Sequence, residues 1–189
     1  MVKNKVKFNI KNVHIAVRKE EIPGTVTYEK PFPVPGAVSI SLEPQGELTP
    51  FYADGIVYYT ASSNNGYEGD LEIAMTPDEY RQKVLGEVLD VAKVLFENAN
   101  ISPTQFALLF QIDGDQKSTR FCFYNCTSTR PTVESETVEE TTEPGTETLT
   151  ISAVPEASGI VRGKTTEETD AEVYNNWFNE VHVKQEAAV

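Results

Sequence analysis

Apolar residues recur at every second position along much of the chain, the spacing of strands whose alternate side chains share a face. The clearest stretch is 105–130. Phe106, Leu108, Phe110 and Ile112 fall on one face, and Asp113-Gly114-Asp115 supplies turn residues. Beyond the turn, Phe121, Phe123 and Asn125 share one face while Cys122, Tyr124 and Cys126 share the other. A strand apolar on both faces is covered on both sides, so this hairpin is expected at the centre of a sheet. Nearer the start, Val6, Phe8 and Ile10 alternate, then Val13, Ile15 and Val17 alternate with opposite parity. That flip near Asn12 predicts either a bulge or an arm, over 1–17, that passes from one sheet to another.

Further strands are expected at 25–29 and 37–42, joined by an extended connector through Pro31, Pro33 and Pro35. In 37–42, Val38, Ile40 and Leu42 oppose Ser39 and Ser41. EPQGELTPFYADG at 43–55 reads as a long loop. Its Phe51 and Tyr52 either fold back on the core or reach a partner. Residues 56–62 and 67–75 read as a hairpin turning at Asn64-Asn65-Gly66. Thr76-Pro77-Asp78-Glu79 marks a helix start, with Tyr80, Val84, Leu85 and Val88 as its apolar stripe. That helix is expected to end near Gly86, with a strand near 93–97. Leu149 and Ile151 alternate inward against Thr148, Thr150 and Ser152. Thr165 and Glu168 can form a second capping box for a C-terminal helix over 167–181, carrying Val173, Tyr174, Trp177, Phe178 and Val181. So apolar a helix must dock on its own sheet or on a neighbour. The expected fold is mainly β (α+β), sandwich- or barrel-like, with a flanking helix and a C-terminal helix, in one domain spanning 1–189.

With 189 residues the chain is long enough to bury a real core. The net charge of -13 repels phosphates. It argues against a sequence-reading DNA binder but not against a surface that DNA passes without sticking. Residues 131–145 belong to a Glu-rich stretch without Lys, expected to be extended and to lead into the strand at 148–152. No apolar run approaches the roughly 20 residues of a membrane helix. MVKNKVKFNIKNV lacks the apolar core of a signal peptide. Cys122 and Cys126, four strand residues apart, would lie about 13 Å apart. That is too far to bridge, so buried free thiols are expected.

Chemistry-bearing motifs are not found. His14 and His182 have no metal-ligand spacing to the cysteines, and HExxH, CxxC, GxSxG and GxGxxG do not occur. Gly163-Lys164-Thr165 lacks the first glycine of a phosphate loop, where Ser158 stands. Asp113-Gly114-Asp115 lacks the other ligands of a calcium loop. The expectation is a non-enzyme with no catalytic residue, cofactor or metal.

KVKFNIKNVHIAV, the block from Pro33 to Ala74, FALLFQIDGDQKSTRFCFYNCTSTRP, TEPGTETLTI and EVYNNWFNEV together resemble the major tail proteins of long-tailed phages and prophages of Gram-positive bacteria. The resemblance runs in order over nearly the whole chain. It departs after Gly86, where VLDVAKV replaces much of a polar loop. It implies a tail tube fold whose subunits form six-fold rings that stack into a conduit for ejected DNA. The implied partners are the chain itself, tape-measure protein, tail initiator and terminator proteins, and passing double-stranded DNA, with no membrane. The implied location is the virion, after synthesis in the bacterial cytoplasm. On that reading Phe51, Tyr52 and Asp54 are placed at ring contacts and Tyr58 and Tyr59 in the tube wall. Alternatives are a tube subunit of a phage-derived injection device, or a monomeric β-sandwich module that stacks its tyrosines on cell-wall carbohydrate.

Overall fold

The computed structural model describes residues 3–22, 25–135, 137 and 144–185. Among them the strands are β1 (Lys7–Ile22), β2 (Thr25–Tyr28), β3 (Phe32–Pro33), β4 (Ala37–Gln45), β5 (Leu48–Ala53), β6 (Ile56–Ser62) and β7 (Gly66–Ile73). Helix α1 (Asp78–Lys83) follows, then β8 (Val88–Leu89), β9 (Leu95–Phe96), β10 (Phe106–Gly114), β11 (Thr119–Ser128), β12 (Glu147–Val154), β13 (Arg162–Lys164) and α2 (Ala171–Asn176). The protein is mainly β.

One large antiparallel sheet runs β2-β1-β10-β11-β12-β7-β4, with β3 added to β1 and β13 to β11. The doubly apolar hairpin β10–β11 is central, as its pattern requires. Its turn begins two residues later than expected, after Gly114. β10 continues through Asp113 and Gly114, and Asp113 accepts from Gln111 and Ser118 at 3.0 Å each. One face of the sheet buries Ile15, Leu71, Phe106, Leu108, Leu149 and Ile151 together with Tyr80, Val84 and Leu85 around α1. Ile10 and Val13 of β1 pack into the same cluster as Ile40 and Leu42 of β4. The two ends of the sheet thus curl toward one core, as the twist of a long sheet favours. On the other face Ala16, Ala107, Leu109, Cys122 and Tyr124 are covered by Trp177. The Trp177 indole donates to the Phe121 carbonyl at 3.3 Å. The C-terminal segment therefore docks on its own sheet.

Some of these expectations hold in the structure and others need correction. The parity flip near Asn12 is a bulge within one continuous strand, with Asn9 and Asn12 both at positive φ and the β1–β10 register shifting beside each. Cys122 and Cys126 do not share a face. A register shift between Phe106 and Leu108 opposite β11 turns Cys126 to the core side with Phe123. Both thiols are free and buried. α1 is not capped by Thr76, whose hydroxyl and amide both donate to the Glu147 carboxylate. The helix ends at Lys83, and Gly86 at φ +76 follows. The strand near 93–97 is present as the two residues of β9, paired with β8. The expected 167–181 helix shrinks to Ala171–Asn176. Thr165 is committed to the sheet, accepting from the Arg120 amide at 2.9 Å, and Asp170 caps instead, accepting from the Glu172 amide at 2.8 Å. Residues 136 and 138–143 of the acidic segment 131–145 lie outside the described residues.

Candidate functional site: an uncovered ribbon and an acidic face

The stretch expected as a loop at 43–55 is a strand. β4 runs on to Gln45, and β5 pairs with β6, not with the sheet. The hairpin expected between 56–62 and 67–75 does not form either, because β6 pairs back on β5 while β7 pairs with β4 and β12. The result is one two-stranded ribbon from Ala37 to Ile73. Its lower half, Ala37↔Ile73 to Gln45↔Gly66, is built into the sheet. Its upper half, Leu48↔Ser62 to Ala53↔Ile56, stands free of it. The halves are joined by Asn65 N–H to the Gln45 carbonyl at 2.9 Å and Ser63 N–H to the Glu47 carbonyl at 3.0 Å. At the joint Gly66 sits at φ +102, and a Cβ there would lie 1.9 Å from the Ala153 carbonyl oxygen. At the tip, Asp54 (φ 52) and Gly55 (φ 78) make the doubly left-handed turn that suits the twist of a two-residue hairpin.

The free half is apolar on both faces. In β5, Leu48, Pro50 and Tyr52 alternate with Thr49, Phe51 and Ala53. Tyr59 lies opposite Phe51, and Val57 opposite Tyr52. Phe51, Tyr52, Tyr58 and Tyr59 are each at least 60% exposed, and Leu48, Ile56 and Val57 are exposed with them. An isolated two-stranded ribbon is marginal in water, and an apolar patch of this kind marks an interaction surface. The structure therefore gathers Phe51, Tyr52, Asp54, Tyr58 and Tyr59 onto one projecting element. Tyr58 and Tyr59 stand on that ribbon rather than on the large sheet.

A second surface was not assigned to residues by sequence reasoning. Over three successive rows the outward face of β12-β7-β4 carries hydroxyls and carboxylates. Thr148, Glu72 and Ser39 lie side by side, then Thr150, Asp70 and Ser41, then Ser152, Glu68 and Glu43. Ser39 donates to Glu72 at 3.0 Å, Thr146 to Glu72 at 2.7 Å and Thr150 to Asp70 at 2.8 Å. A shallow groove of about 430 Å³ runs along Ser41, Glu43, Glu68, Asp70 and Thr150, and no basic side chain lines it. Glu43 and Glu68 stand directly opposite, an arrangement that costs stability. The signal was present as alternation in GYEGDLEI, but which strands would neighbour it was not.

No cluster of His, Cys, Asp or Glu able to hold a metal occurs among the described residues. Burial pushes the Cys126 thiol up to about 12 and the Cys122 thiol well above its ordinary value. Both are packing groups rather than nucleophiles.

These features define a mainly β chain built around an open ribbon and a polar sheet face. No protein-family model and no curated protein matches the sequence. Among solved structures, the chain is similar in fold to a chain of the anti-feeding prophage (AFP) baseplate, determined by cryo-EM with six-fold symmetrisation. The TM-score is 0.51 at 11% identity, over 89% of this chain and 99% of that one.

Proposed function

We propose that this chain is a structural subunit of a phage or phage-derived particle, assembling with copies of itself into rings that stack as a tube. The observation that carries this reading is the ribbon over 48–62, apolar on both faces and covered by no described part of its own chain. A ribbon uncovered on two sides suits burial between neighbours. Identical neighbours are the economical source in a closed ring. The acidic, hydroxyl-rich face of β12-β7-β4 suits the wall of a bore, where carboxylates repel phosphate and let DNA slide. On this reading the chain has no catalytic role, and its partners are itself and the proteins that start, measure and end a tube.

The fold shared with a prophage-derived baseplate chain favours a second, closely related reading, in which the tube belongs to an injection particle. The same ring serves both. The test is negative-stain electron microscopy and sedimentation of the purified chain at rising concentration, with and without tape-measure and initiator proteins. Rings or tubes of uniform bore are expected. A strict monomer under all these conditions would count against assembly of either kind.

A further inference from the structure

The ribbon has a counterpart elsewhere on the molecule. The N-terminal segment, the β10–β11 turn and residues 164–168 enclose a cleft of about 670 Å³ whose walls carry Lys3, Lys117 and Lys164 beside Glu167 and Glu168. It shares Asn4 and Thr119 with an adjoining cleft of about 360 Å³, where Lys5 and Lys7 stand near Val6, Ile112 and Phe121. Of the carboxylates beside it, Asp113 is paired with Lys11 at 2.7 Å and Asp115 accepts from the Lys5 backbone amide at 2.9 Å, so five lysines face Glu167, Glu168 and Asp115. In a chain of net charge -13 this is a locally basic groove.

Its walls are fixed. The Asn4 side-chain Oδ1 accepts from the Gln116 and Lys117 backbone amides at 2.9 Å each, tying the N-terminal segment to the turn. The Lys117 ammonium lies 4.2 Å from the Tyr174 ring centre and donates to the Glu167 carbonyl at 3.4 Å. Val6 and Phe8, beside the lysines, are more than half exposed. The ribbon matches this layout in reverse. Over 48–62 it carries one ionised side chain, Asp54, and that residue forms its tip. Apolar flanks lie behind it.

We propose that the groove receives the ribbon of a second copy of this chain. Asp54 enters among Lys3, Lys117 and Lys164, and the aromatic flanks cover Val6, Phe8 and Phe121. Groove and ribbon are different surfaces, so the contact is head-to-tail and propagates from copy to copy instead of closing as a two-fold dimer. This inference rests on the self-assembly reading above and adds the landing site.

A charge swap tests it. Asp54 and Lys164 are both exposed, and Lys93 shows that a lysine can hold the left-handed φ that Asp54 adopts, so Asp54→Lys and Lys164→Glu are expected to keep the monomer fold, checked by circular dichroism and by amide exchange over 48–62. Each single change should raise the critical concentration for assembly about tenfold at low salt, the scale expected for facing like charges. The double variant, with both charges exchanged, should return close to the unmodified value. Tubes that form equally well in both single variants would overturn the docking site while leaving self-assembly intact, and would leave the groove to a partner of another sequence. A double variant no better than the singles would overturn it as well. An unmodified chain that never polymerises would overturn both inferences together.

Discussion

Glu43 and Glu68 face each other across two strands without a cation between them. Like charges in that position cost the isolated fold something. Glu68→Thr should therefore stabilise the monomer, by roughly 0.5 kcal/mol on the scale of cross-strand pairs, read from the urea midpoint. A loss of stability would contradict that. Tyr80 shows the opposite balance. It is fully buried, and its hydroxyl and that of Ser128 lie 2.6 Å apart. Tyr80→Phe leaves a buried hydroxyl unpartnered and should cost about 1–2 kcal/mol, measured the same way. The Asp113 carboxyl is held down to about 2 by Lys11, with help from Gln111 and Ser118. A carboxyl depressed in the folded state contributes stability that is complete above its unfolded value near 3.8 and is lost as pH falls through about 2. Amide exchange over the first half of β1 should accelerate in that window, and Asp113→Asn should abolish the pH dependence. At this scale alternation in the sequence was a good guide where the ladder is regular, as at Leu149 and Ile151. It failed at Cys126, because one irregular step opposite Phe106 reversed the faces, and there, unlike the flip at Asn12, apolar residues stand on both faces, so a change of parity does not show.

The strands themselves were legible because period-two patterning and turn residues agree over most of the chain. The ribbon was not. Its residues alternate weakly, being apolar on both faces, and a strand that packs on nothing among the described residues of its own chain lacks the polar face that defines an edge. The turn signal at Asp54-Gly55 was present, and it outranks Asn64-Asn65-Gly66 because both of its residues adopt positive φ. The short α2 was hidden for a different reason. Thr165 was needed as a sheet partner, so the cap moved to Asp170. Phe51→Ser with Tyr59→Ser should leave monomer stability within about 0.5 kcal/mol, as for exposed positions, yet abolish assembly in sedimentation. Trp177→Ala should cost about 3–5 kcal/mol and make Cys122 reactive toward a thiol reagent, since the indole covers it. An unreactive Cys122 in that variant would mean that another element seals this face.

For the whole molecule, the uncovered ribbon and the one-sided charge of the sheet both cost the isolated chain stability. Apolar side chains in water and carboxylates crowded without cations both raise its free energy. On the proposed assembly both find a place, with aromatics buried at contacts between copies and acid turned to the channel. The most direct measurement is a cryo-EM reconstruction of the assembled chain. The account predicts a ring with Glu68, Asp70 and Glu72 facing the channel and Phe51 and Tyr59 buried on a neighbouring copy. A ring with that acidic face turned outward, or with the ribbon still bathed in solvent, would contradict it.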